Sequence, residues 1–212
     1  MDSSATQRNR NYLARRGETN LGDFLADSLR YGTSADVAFC MASACATDFS
    51  AGDITAYNLL TLFPYDNSLC VVEVQGKAIL DALEWGASSL PDDSPVLIQV
   101  SGMSYEIDLS VPSGVVKDEN GDFVRYEGEH RVKNVYIGGI PLELDSYYKV
   151  AGSDFVLRYL GNGFTMFRNA NVVASEYSTE CLLFKNYIRS FPDSTIGDEY
   201  SNPHGQGRII VR

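Results

Sequence analysis

The chain has 212 residues, 44% of them hydrophobic and 21% charged, the balance of a folded globular protein. A formal net charge of −11 argues against a nucleic-acid backbone or an anionic membrane as the main partner. No apolar run approaches the roughly 20 residues that span a bilayer, and His130 and His204 are too few for a His-rich two-metal centre.

The opening stretch MDSSATQRNRNYLARRGE lacks the apolar core of a signal peptide and carries a small basic cluster, Arg8, Arg10, Arg15 and Arg16. In ETNLGDFLADSLRYG, Leu21, Phe24, Leu25 and Leu29 recur at helical spacing, with Thr19 or Asn20 as the cap and Gly32 as the end. ADVAFCM is short and apolar, a strand buried on both faces. TAYNLLTLF reads as a short helix closed by Pro64, SLCVVEVQG as a strand, and GKAILDALEWGASSL as a helix. PVLIQVSG and MSYEIDLS form two strands around Gly102, paired as a hairpin over 96–101 and 103–108. The segment from Pro112 to Glu129 is an exposed excursion, and RVKNVYIGGIPLELDSYYKVAG gives two more strands. SDFVLRYLGNGF is a short helix running into a glycine loop, STECLLFKNYIRSF a late helix and GRIIV a last strand.

Helices alternating with paired strands make a mixed α/β (α+β) sandwich in one domain and not a doubly wound nucleotide fold. Cys40, Cys45, Cys70 and Cys181 contain no C-x-x-C pair, so neither structural zinc nor a thioredoxin-type centre is indicated. Cys40 and Cys70 sit in apolar runs and read as buried thiols in preference to disulfides. No G-x-S-x-G elbow supports serine hydrolase chemistry.

Six blocks in register carry a resemblance: RRGETNLGDF from Arg15, AGDIT from Ala51 running on to LFPYDN, VEVQGKAILDALE from Val72, LIQVSGMSY from Leu97, YKVAGSDFVLRYLGNGF from Tyr148, and the terminal GRIIV. Over roughly residues 12 to 211 the chain resembles the C-terminal, substrate-binding domain of the 5′-nucleotidase family, which includes UDP-sugar hydrolases and 2′,3′-cyclic-nucleotide phosphodiesterases. The resemblance implies a multilayer α/β/β/α sandwich over 12–212. Residues 1–11 are then an extension or a remnant of an interdomain segment, and Met1 a cut into a longer protein.

It further implies a nucleoside- and phosphate-binding role beside an N-terminal calcineurin-like phosphoesterase domain. That domain, outside this sequence, holds a divalent metal pair and the catalytic residues. No cofactor and no catalytic residue is therefore expected in this chain, which alone is expected to be inactive. An exported location is implied by the resemblance alone.

Residue by residue, the family's phosphate arginine falls on Arg15, where a guanidinium fork suits phosphate. Its two base-stacking aromatics fall on Tyr65 and Phe155, either of which also fits a core position. The aspartate of a G-G-D-G turn becomes Asn162, which keeps an acceptor and loses the charge. The N-G-G-G-I-R loop becomes Met41, Ala42, Ser43 and Ala44, with Ala46 in place of arginine; Ser43 is counted with the substrate-binding candidates. Loss of that arginine removes a charge-assisted contact of about 1.5–3 kcal/mol, roughly ten- to a hundredfold in phosphate affinity. Arg16 and Arg158 are the nearby alternatives for supplying it. The competing reading is a divergent, non-catalytic binding or scaffold module of an exported surface protein.

Overall fold

The computed structural model describes residues 13–45, 47 and 52–212. The expectations for residues 1–11, for Arg8 and Arg10 and for Ala46 lie outside these. Among the described residues, five helices, α1 (Asn20–Thr33), α2 (Ala56–Leu62), α3 (Gly76–Ala87), α4 (Asp154–Leu157) and α5 (Glu180–Ser190), accompany eleven strands. No helix among them is long and apolar enough to cross a membrane.

The main sheet has the order β10-β2-β9-β1-β3, with β1 (Val37–Met41) parallel to β9 (Tyr147–Ser153) and antiparallel to β3 (Ile98–Ser101). Strand β2 (Leu69–Gln75) runs antiparallel to β9, Leu69 facing Ser153, and β10 (Asn171–Ala174) is the edge. A second sheet, β11-β4-β7-β8, joins β4 (Met103–Ile107), β7 (Val132–Ile137), β8 (Ile140–Pro141) and the C-terminal β11 (Ile209–Val211). Strands β5 (Val115–Lys117) and β6 (Phe123–Tyr126) form a separate hairpin. Helix α1 lies on β1, β3 and β9, α5 packs on α1, and α3 touches β2 and β3 of the first sheet and β7 of the second. That double contact explains why nine of its residues are buried. The class is the expected mixed α/β sandwich.

Three local expectations are corrected. The strands flanking Gly102 are not a hairpin: β3 belongs to the first sheet and β4 to the second. Gly102 makes the crossing, at φ +77, where a Cβ would stand 2.3 Å from the Asp36 carbonyl oxygen. Gly32 does not end α1, which continues to Thr33 and closes on Ser34 in the left-handed region (φ 53); Gly32 instead lies against Leu183. The excursion is not wholly exposed, because its β5–β6 hairpin buries Phe123 against Trp85, ring centroids 6.2 Å apart. The N-cap of α1 is Thr19, whose hydroxyl accepts from Gly22 N at 3.1 Å.

The first and last segments of the domain are tied by charge. Arg208 holds Asp27 in a two-pronged pair at 2.8 and 2.7 Å, and the Tyr200 hydroxyl donates to the same carboxylate at 2.7 Å. Glu18 accepts from Ile209 N at 2.7 Å, and the buried Asp23 accepts from Gln206 N at 3.0 Å. Burial pushes the Asp23 carboxyl up to about 8 against the pull of Arg208, with Glu18 adding to the rise.

Candidate functional site

Register decides which residues can meet. Strands β1 and β9 are parallel and β2 enters antiparallel beside β9, so the end of β1, the end of β9 and the start of β2 share one end of the main sheet. The chain leaves β1 into a short 3₁₀ turn, Ala42–Ala44. It leaves β9 into α4, carrying Phe155, and reaches β2 from the turn that carries Tyr65.

Arg15 ends a 3₁₀ turn, Leu13–Arg15, packed against Ala42–Ala44. What fixes that segment is Gln99, fully buried in β3. Its amide nitrogen donates to the carbonyls of Ala14 (3.0 Å) and Gly17 (2.9 Å), and its oxygen accepts from Thr19 N (3.1 Å). The Arg15 carbonyl also accepts from Ser94 N at 2.9 Å. Arg15 itself is half-buried.

The turn Ala42–Ala44 holds no left-handed residue, so it needs none of the glycines that the resemblance would supply. Two of its main-chain donors are already used: Ala42 N donates to Leu97 O at 2.8 Å and Ser43 N to Pro95 O at 3.0 Å. Neither is available as an anion-binding N–H, and no side chain from Met41 to Cys45 carries a formal charge. The alternative arginines are engaged. Arg16 pairs with Asp93 at 2.6 Å, and Arg158 pairs with the buried Asp154 at 3.4 Å while lying over the Tyr159 ring.

Phe155 is 43% exposed and lies over Gly161, where any Cβ would fall 2.3 Å from its ring. Next along that loop, Asn162 stands in the left-handed region (φ 55) and its amide nitrogen reaches the Met41 sulfur at 3.6 Å. Arg15, Ser43, Asn162 and Phe155 are thus on contiguous segments.

Tyr65 is 85% exposed. Its turn is anchored on one side by Phe63 packing on Phe184 (5.4 Å). On the other, Asp66 accepts from Cys181 N at 3.0 Å and Asn67 donates to Glu180 at 3.2 Å. Asp154 N donates to Ser68 O at 2.9 Å, which brings the Tyr65 turn to the start of α4. The two rings share the sheet end without packing on each other, and among the described residues neither touches another aromatic ring. Burial raises the Glu180 carboxyl to about 7, with Asp66 adding to the rise and the Asn67 bond opposing it.

The residues that sequence reasoning missed are Gln99 and Trp85. A lone glutamine inside the apolar run LIQV was the available signal, since a buried amide must be paired. A groove of ≈ 1280 Å³ opens beside Leu13, Ala14 and Cys45 and runs along α5 past Phe184 and Ile188; none of the five candidates lines it. Among the described residues no three His, Cys, Asp or Glu side chains stand together so as to hold a metal ion.

The family described as "5'-nucleotidase, C-terminal domain" matches residues 3–169. This chain belongs to that family. The trifunctional nucleotide phosphoesterase protein YfkN of Bacillus subtilis is 30% identical over 163 residues, 73% of this chain and 10% of that protein. The cell wall protein Lmo0130 of Listeria monocytogenes is 30% identical over 208 residues, 92% of this chain and 24% of that protein. A 5′-nucleotidase precursor of Thermus thermophilus superposes with a TM-score of 0.73 at 27% identity, covering 95% of this chain and 37% of that one. The chain therefore spans well under half the length of each, and within this family it corresponds to the C-terminal part of a larger 5′-nucleotidase-type protein.

Proposed function

We propose that this chain is the nucleoside-recognising domain of a longer, exported 5′-nucleotidase-type phosphoesterase. The divalent metal pair and the hydrolytic residues belong to a calcineurin-like domain outside this sequence, and no hydrolytic step is assigned to the present residues. The observation that carries the reading is the convergence at one sheet end of Arg15, Ser43, Phe155 and Asn162, with Tyr65 on the adjoining turn. Two exposed rings offer faces for a planar base, and base stacking is worth about 1–3 kcal/mol in nucleic-acid binders. The asparagine supplies an amide for a ribose hydroxyl or base edge.

Phosphate is held weakly in this account. The turn beside Arg15 has no charged side chain, two of its N–H donors are occupied, and Arg16 and Arg158 are committed to carboxylates. Arg15 is the candidate phosphate ligand by its place beside that turn.

Calorimetric titration with adenosine, AMP and a UDP-sugar at fixed ionic strength tests this. Adenosine binding with less than about a tenfold gain for AMP is expected, because one charge-assisted contact is absent. A gain of a hundredfold or more refutes it.

A second reading, a binding or scaffold module of a surface protein, is favoured by one finding, the match of 92% of this chain to a cell wall protein. Absence of binding to all three ligands by the folded chain selects it.

A further inference from the structure

Asn162 is itself held from behind. Its main-chain carbonyl accepts from Trp85 Nε1 at 2.9 Å, 77 residues away near the end of α3. Trp85 is the chain's one tryptophan and is 6% exposed, so its N–H requires a partner within the protein. The loop it grips is conformationally disfavoured: Leu160 (φ 58) and Asn162 (φ 55) are both left-handed without being glycine. Gly163 follows against the same indole, where a Cβ would stand 2.7 Å from Trp85 Cζ2.

The indole is braced in turn by the β5–β6 hairpin. Phe123 meets it edge-on at 71°, Lys117 Nζ lies 4.9 Å from its ring centre, and Thr165 Oγ1, two residues beyond Gly163, donates to the Phe123 carbonyl. A continuous set of contacts thus runs from the hairpin through Trp85 to Asn162, and from the Asn162 amide to Met41.

We infer that Trp85, braced by the 115–126 hairpin, is a positioning residue for ligand recognition: its indole N–H fixes the left-handed turn that presents the Asn162 amide to the nucleoside. The inference rests on the nucleoside-binding reading above. A purely packing role is distinguishable, because phenylalanine would fill most of the same space without donating a hydrogen bond. The hairpin then does more than cover apolar surface, since it sets the direction of a ligand contact that it does not touch.

A double-mutant cycle on adenosine binding tests the inference, using wild type, Trp85→Phe, Asn162→Ala and the double variant. Trp85→Phe is expected to weaken adenosine about three- to tenfold, the effect of roughly one hydrogen bond. Asn162→Ala is expected to weaken it similarly, and the double variant no further than Asn162→Ala alone. Effects that multiply in the double variant, or wild-type affinity in Trp85→Phe, overturn it.

The single tryptophan gives a second readout that needs no altered core. Saturating adenosine should change Trp85 emission in wild type, and Asn162→Ala, which removes the side-chain amide, should abolish the change. Emission unmoved by bound adenosine in wild type overturns the inference. If Tyr65→Ala loses adenosine while Trp85→Phe does not, the inference falls and the nucleoside reading stands. If wild type binds no adenosine, both fall.

Discussion

Replacing Gln99 with glutamate separates donor from acceptor at the point where the Arg15 segment is secured. Glutamate can still accept from Thr19 N, but it cannot donate to the carbonyls of Ala14 and Gly17, which it would face with a buried negative charge. Two hydrogen bonds of about 0.5–1.5 kcal/mol each are lost, and two buried acceptors and a carboxylate are left to be desolvated. A total cost of about 3–5 kcal/mol follows, a large part of the usual 5–15 kcal/mol of domain stability. Gln99→Leu, which removes the charge problem but leaves Thr19 N unpaired along with the two carbonyls, should cost about 2–4 kcal/mol. Urea unfolding at neutral pH measures both, read as a fall in midpoint at constant slope. AMP affinity of the folded fraction should fall as well, because the turn carrying Arg15, the candidate phosphate ligand, is no longer fixed. A loss below about 1 kcal/mol in Gln99→Glu would refute the assignment of Gln99 as the anchor.

Gly22→Ala probes the same anchor from α1. Its Cβ would lie 2.3 Å from Gln99 Oε1 and 2.6 Å from Gln99 Cγ. The helix-propensity gain of about 1 kcal/mol should therefore be outweighed, leaving a net loss of about 1–3 kcal/mol in urea unfolding. Tyr65→Ala should leave stability within about 0.5 kcal/mol, its ring being solvent-facing, and should weaken adenosine by about 1–3 kcal/mol in calorimetry. Glu180 carries a pH signature. Its folded pKa, raised from 4.5 to about 7, gives stability that is complete below about 4.5 and lost as pH rises through 7. That step is at most about 3 kcal/mol at 1.36 kcal/mol per pH unit. Glu180→Gln should accordingly flatten the decline in urea midpoint between pH 5 and 8, and an unchanged decline would remove Glu180 as a cause.

Much of this architecture is legible in the sequence because the periodicities are strong. Leu21, Phe24, Leu25 and Leu29 announce α1, and VAFC and LCVV, each buried at all four residues, announce the starts of β1 and β2. The hairpin reading around Gly102 fails because periodicity reports burial and not partner: β3 and β4 each belong to a different sheet. Strand β10 escapes notice since Asn171, Val172 and Val173 are all exposed on an edge, with no alternation to read. The candidate residues come from resemblance in register and not from spacing, so their convergence could not be foreseen from 90-residue separations. What the sequence could not express was the support beneath them. The Trp85 hydrogen bond spans 77 residues and ends on a main-chain carbonyl, which leaves no side-chain pattern to detect.

The ligand-binding expectations share one spatial premise, that a nucleoside is gripped at the end of the main sheet where β1 and β9 finish. Adenosine titrated into the ¹⁵N-labelled chain checks that premise residue by residue. Amide shifts should concentrate at Arg15, Ser43, Tyr65, Phe155 and Asn162. Shifts confined instead to the groove beside Phe184, Ile188 and Ile196 would contradict it.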